Sequence, residues 1–328
     1  MRPHPSPRGA LDRAAADNTK DGVTMAKIIV GVEDFDRSIA AVAFARRLAS
    51  AAGAQLILAT AYPHEGLPSQ IVYTDLDRRL HGGAQDILSR MRAEAGDVET
   101  ETRAIAASSA ARALHALAER EEAALIVIGS SHRGNTGRVL AGTTADRLLH
   151  GSPCPVAVVP KGHGEQAGGV RSILVAYDGS TEAKAALQAA LTAGQALSAV
   201  VRAVRVLEPL TSRITDGSEY VISPEDVERE VQGVREAFEA DMAALPDSRR
   251  LQADFVVGKP VAELVKRSHA ADLLVTGSRG YGTMRAVLLG SVSGHLVREA
   301  ACPVIVVPRG VESHLDKLFV APPRSRAA

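Results

Sequence analysis

Val275-Thr-Gly277-Ser-Arg-Gly280, followed after nine residues by Gly290-Ser291, joins an apolar run, Leu273–Thr276, to a helical pattern, Val292–Ala300. The same arrangement stands 148 residues earlier, from Val127-Ile-Gly129-Ser-Ser-His132 to Gly142-Thr143. Without a gap, Gly134 pairs with Gly282, Val139-Leu140 with Val287-Leu288, and Cys154-Pro155-Val156 with Cys302-Pro303-Val304. A repeat this long is a duplicated domain, because solenoid units are several-fold shorter. The length of 328 residues agrees with two domains.

Working outward, each half alternates short apolar strands with longer helical stretches, the pattern of a parallel sheet covered by helices. The first half offers strands at Ile28–Val32, Leu56–Ala61, Glu101–Ala106, Leu125–Ile128 and Val156–Val159. The second offers Ile173–Ala176, Ala199–Leu207, Leu251–Val257, Leu273–Thr276 and Val304–Val307. Runs such as Leu-Ile-Val-Ile lack polar alternation, as strands buried on both faces do. Thr181–Leu197 and Pro224–Leu245 read as helices, the latter with Ser223 as N-cap and Pro224 at the first helical position. The domains are therefore 25–160 and 171–308, joined by a glycine-rich linker, 161–170. Residues 1–24 read as a disordered tail, or as an upstream start before Met25. Residues 309–328 form a second tail whose Leu315–Val320 stretch suits a short docking helix.

Composition narrows the function. Lys+Arg and Asp+Glu are both 38, so no net charge draws the chain to nucleic acid or an acidic membrane. Aromatic residues are 3% with no Trp, which leaves few platforms for stacking bases. No apolar run approaches the ~20 residues of a membrane helix, and the N-terminal tail lacks a signal peptide's apolar stretch. The cytoplasm is the expected location. The two cysteines read as buried reduced thiols, one per domain, with a bridge between domains as the alternative.

The glycine spacing has the physics of a phosphate cradle. Gly277 ends a strand and is expected to take a positive φ that turns backbone N–H groups outward. Gly280 lets a phosphate approach without a Cβ in the way. Gly290-Ser291 opens a helix whose N-terminus offers unsatisfied N–H groups and the positive end of its dipole. Ser291 and Ser293 add donors, and Arg279 and Arg285 screen charge. A tight turn and a capped helix, with glycines for geometry alone, is the competing reading. Placement beyond the carboxyl end of a fourth strand is where doubly wound folds bind ligands. No P-loop, HExxH, zinc knuckle or nucleophile elbow occurs.

With Val175-Ala-Tyr177-Asp178-Gly-Ser180 opening the second half and Ala301-Cys-Pro-Val-Ile-Val-Val307 closing it, Gly277-x2-Gly280-x9-Gly290-Ser291 resembles the ATP-binding type of universal stress protein domain. The resemblance spans both halves. It implies two tandem α/β doubly wound domains, each a five-stranded parallel sheet ordered 3-2-1-4-5 and flanked by helices. It also implies ATP with Mg2+ lying across the gap between first and fourth strands. By position, Tyr177 and Val206 would wall the adenine, and Asp178 would approach the ribose or a phosphate-bound Mg2+. Gly277, Arg279, Gly280, Gly290, Ser291 and Ser293 would surround the triphosphate. Asp178 reads equally as an Asx-turn cap, and Val206 as plain core.

The first-half counterparts are Glu33, Ala61, Gly129, His132, Gly142 and Thr143. His132 replaces Gly280, and Glu33 replaces Asp178 without a following Gly-Ser. His132 either blocks or donates to a phosphate, or is simply an exposed loop residue. The second half is thus the stronger candidate. Two function classes follow: a nucleotide-responsive stress or regulatory module, and, as alternative, a slow ATP-hydrolysing or nucleotide-transferring enzyme of the adenine-nucleotide α-hydrolase-like type. No general base or nucleophile stands beside the loop, which favours the first. Family domains pair through the edge strand after Cys-Pro-Val, so the two halves are expected to form an internal pseudo-dimer, with a homodimer of the whole chain as a further step.

Overall fold

The protein is described by a computed structural model covering residues 19–20, 23–63, 73–130, 132–133, 139–140, 143–163, 168–209, 223–245, 250–278, 291–310 and 314–319. In the first half, Lys27–Gly31 (β1), Phe35–Ala52 (α1), Gln55–Tyr62 (β2), Tyr73–Glu94 (α2) and Thr100–Ala106 (β3) alternate in order. Ala110–Arg120 (α3), Leu125–Gly129 (β4), Thr143–Leu149 (α4) and Val156–Val159 (β5) complete it. The second half repeats the series: Ser172–Tyr177 (β6), Thr181–Leu197 (α5), Val200–Leu207 (β7), Pro224–Ala243 (α6) and Leu251–Val257 (β8). Pro260–Ser268 (α7), Leu273–Gly277 (β9), Ser291–Glu299 (α8), Val304–Val307 (β10) and the C-terminal His314–Phe319 (α9) follow.

Parallel pairing gives β3-β2-β1-β4-β5 and β8-β7-β6-β9-β10, the expected 3-2-1-4-5 order twice. Alternate residues of each strand enter two different cores. Ile28, Val30, Val175 and Tyr177 join α1, α2, α5 and Phe238 of α6 on one face. Ile29, Ile126, Leu174 and Leu274 join α3, α4, α7 and α8 on the other. Both faces are covered, which is why the strand sequences lack polar alternation.

The two halves meet edge to edge. β10 pairs antiparallel with β5, Val304 opposite Val158 and Val306 opposite Val156, so ten strands make one sheet. Left apart, each would be an apolar edge with unpaired N–H and C=O groups. The register also excludes the bridge between cysteines. Cys154 and Cys302 enter the seam from opposite ends, roughly 20 Å apart at a strand's rise per residue, whereas a disulfide needs Cα atoms within about 7 Å. Both are free and buried, and burial pushes each thiol up to about 12.

Other contacts cross the seam. Arg298 of α8 meets Asp146 of α4 at 3.2 Å, and α1 lies against α5. α9 packs on α5 and on β4 of the opposite half, with Leu318 and Phe319 only 1% and 8% exposed.

Candidate functional site

β6 and β9 are neighbours whose chains depart to opposite faces, so a crevice opens at their carboxyl ends, the switch point of a doubly wound sheet. Its walls are apolar: Ala176 of β6, Val204 and Val206 of β7, Pro260 and Leu264 of α7, and Val292 of α8. Its polar residues are Asp178 and Ser180 on one lip and the buried Thr276 and Ser293 on the other. The crevice has a cavity volume of about 90 Å³, less than a whole small-molecule pocket. A wider groove of about 1150 Å³ lies at the start of the first-half strands, between α1 and Ala95–Glu99, and holds no convergent constellation of this kind.

The lip carrying Asp178 is built by the helix that follows. Gly179 takes φ +82, the left-handed conformation glycine tolerates. Ser180 caps α5, accepting the Ala183 N–H at 3.2 Å. Asp178 Oδ1 in turn accepts the Ser180 N–H at 3.0 Å and its hydroxyl at 2.5 Å. The Asx-turn reading of Asp178 is therefore present in the structure, and the same carboxylate borders the crevice. One role does not displace the other.

One expectation is corrected. Gly277 does not take a positive φ. Its need for glycine is steric, since a Cβ there would lie 2.7 Å from the carbonyl carbon and oxygen of Glu182 in the first turn of α5. Tyr177 is among the residues that line the crevice, and its side chain also joins a core. Strand alternation sends Ala176 and Val206 to one core and Tyr177 to the other. There the ring, 4% exposed, packs on Phe238 at 5.6 Å and its hydroxyl donates to Asp241 Oδ2 at 2.7 Å. Burial, reinforced by that carboxylate, raises the phenol well above its usual range.

Val206 lines the crevice. Arg279, Gly280, Gly290 and Gly142 lie outside the described residues, and so do the side chains of Ser291, His132 and Thr143. Ser291 opens α8 as expected, and Ser293, in its first turn, is 3% exposed. Just past Gly277, the hydroxyl of fully buried Ser278 has no hydrogen-bond partner. Among the described residues no three His, Cys, Asp or Glu cluster to hold a metal, so any cation near Asp178 would need ligand oxygens as well.

Sequence reasoning missed several contributors. Thr276 interrupts the apolar run of β9 with a hydroxyl, and Pro260, at the first turn of α7, sets that helix against the crevice. Arg205, a cation in the apolar run of β7, brings its guanidinium beside the Asp178 turn: a Cβ on Gly179 would lie 3.6 Å from Nη1. A charged or hydroxyl residue inside an otherwise apolar strand was the available signal.

The first half differs at the corresponding depth. Ile128 stands where the second half has Thr276, and Leu114 of α3 closes over Gly31. A Cβ on Gly31 would lie 2.8 Å from Leu114 Cδ1 and 3.0 Å from Ile128 Cγ2. These two side chains lie over the floor there. Glu33 is exposed, its N–H donating to Ser38 Oγ at 3.1 Å, and Ala61, next to last in β2, and Gly129, at the end of β4, are half-buried. No helix of the described residues is long and apolar enough to cross a membrane.

The sequence model of the universal stress protein family matches residues 25–160 and 169–308. A universal stress protein of Mycobacterium tuberculosis (strain H37Rv) is 30% identical over 189 residues, 56% of this chain and 62% of the relative. The match thus spans less than two thirds of that relative's length. One from Mycolicibacterium smegmatis is 28% identical over 298 residues, covering 85% of this chain and 96% of its own. The crystal structure of a universal stress protein from Archaeoglobus fulgidus superposes with a TM-score of 0.59 at 18% identity, covering 86% and 98% of the two chains, a likeness of fold.

Proposed function

This chain belongs to the universal stress protein family, and from that premise we propose that its second half binds an adenine nucleotide, ATP with Mg2+, as a nucleotide-responsive stress or regulatory module. The observation that carries the reading is the crevice between β6 and β9, largely apolar and lined as well by hydroxyls and the Asp178 carboxylate. Val204, Val206 and Leu264 offer the surface an aromatic base requires. Thr276 and Ser293, with the unpartnered hydroxyl of Ser278, gather donors beside the N-terminus of α8, where N–H groups and the helix dipole favour phosphate. Asp178 stands on the opposite lip, suited to a ribose hydroxyl or to a cation that also binds phosphate oxygens. Mg2+ would supply charge neutralisation of the phosphates. The chain's own residues orient the nucleotide and exclude water from the base.

The first half is proposed as the weaker site, because Ile128 stands in place of Thr276, Glu33 in place of Asp178 and His132 in place of Gly280. Titrating the full chain calorimetrically with MgATP tests both statements through two variants. Gly290→Asp puts a carboxylate directly before α8 and should abolish the tighter binding event, with the fold kept. Gly142→Asp should leave it unchanged. Normal binding by Gly290→Asp would mean the phosphate region is misplaced.

A further inference from the structure

The segment that leaves β10 is tied to the crevice through one residue. Arg309 Nε stands 3.1 Å from Glu182 Oε1, whose side chain is 16% exposed. The backbone of the same Glu182 presses on Gly277, with a clearance so small that a Cβ would lie 2.7 Å from its carbonyl. Glu182 follows the Asp178–Ser180 turn directly, in the first turn of α5. That turn of helix therefore touches both lips of the crevice and the start of the C-terminal segment. Close-packed contacts without slack transmit displacement rather than absorb it.

Beyond Gly310, at φ +69, α9 lies over the seam on α5 of its own half and β4 of the other. Its six residues are too few to persist as a free helix. Its order derives from the socket that takes Leu318 and Phe319.

We propose that Arg309 and α9 form a strap across the seam whose docking is coupled, through Glu182, to occupancy of the second crevice. This rests on the nucleotide reading above. A ligand bridging the end of β9 and the Asp178 turn fixes the first turn of α5. The Glu182 carboxylate is then held where Arg309 meets it, and Arg309 stands only five positions before α9. Linkage makes the effect reciprocal: a docked strap strengthens nucleotide binding by the factor with which the nucleotide strengthens docking.

Hydrogen exchange of the full chain with and without MgATP, beside calorimetry, tests this. MgATP should slow exchange in α9 about fivefold, the low end of site-to-site couplings, and should also protect α8. Arg309→Gln lies outside the binding groups; it should keep α8 protection and lose the nucleotide effect on α9. Leu318→Asp unseats α9 and should weaken MgATP about fivefold by reciprocity. The strap idea fails if bound MgATP leaves α9 exchange unchanged, if Arg309→Gln retains the effect, or if Leu318→Asp binds as the parent does. Absence of binding heat together with absence of α8 protection would instead remove the crevice reading, and the coupling with it.

Discussion

Gly277 and Gly233 show how little a glycine's identity says until its surroundings are known. A methyl at Gly277 meets backbone atoms of Glu182, which no rotamer change can clear. Gly277→Ala should destabilise by about 1–3 kcal/mol, the usual cost of overpacking. Gly233, in the middle of α6, has nothing within 4 Å of its would-be Cβ. Gly233→Ala should stabilise by about 0.5–1 kcal/mol. Thermal unfolding of the two variants, with shifts of opposite sign, checks the assignment. Thr276→Ile is a third test, because it copies the floor of the first half into the second. It should eliminate MgATP binding with little loss of stability, and calorimetry with unfolding curves would reveal either failure.

At the level of elements, the strand starts of the two halves are secured by different chemistry. In the second half Asp272 Oδ2 accepts the Arg171 N–H, the Ser172 N–H and the Ser172 hydroxyl, each at 2.9 Å, tying the start of β6 to β9. In the first, Lys27 Nζ meets Glu121 Oε2 at 2.8 Å. Burial works to raise the Asp272 pKa, but those donors and the Arg171 charge outweigh it and hold the carboxyl below its usual range. A depressed carboxylate contributes stability above its unfolded pKa and loses it as pH falls through the folded value. The second half should therefore lose stability below about pH 4, and Asp272→Asn should flatten that part of the profile. Chemical denaturation followed at successive pH values measures it; an unchanged slope would remove Asp272 from the account. The buried thiols act at the other extreme. Their raised pKa keeps them protonated in the native state, so their contribution is complete below about pH 8.5 and wanes as pH rises toward 12.

For the whole molecule the seam is decisive. One short antiparallel pairing, two flanking helix layers and α9 join the halves. Val158→Pro together with Val306→Pro removes ladder donors from β5 and β10 and should separate the halves. The expected readout is a larger radius of gyration by small-angle scattering, with both sheets intact by circular dichroism. An unchanged envelope would show that the helices alone suffice.

The duplication and the alternation of strand and helix were legible in the sequence, because they follow from local periodicity and from repeated motifs, whereas the edges that pair were expected only from the resemblance to universal stress domains. Ser223 as cap and Thr181–Leu197 as helix needed only neighbouring residues. Tertiary structure alone decided what depends on two distant segments meeting. Packing of α6 against β6 gave the Tyr177 hydroxyl its partner in Asp241. The approach of α5 to β9 made Gly277 a packing glycine. The antiparallel register set the two cysteines at opposite ends of the seam. The docking of α3 brought Leu114 over Gly31. Sequence patterns carry the direction of a side chain relative to its own element. Whether space remains on that side is set by another element, and only the packed chain holds that information.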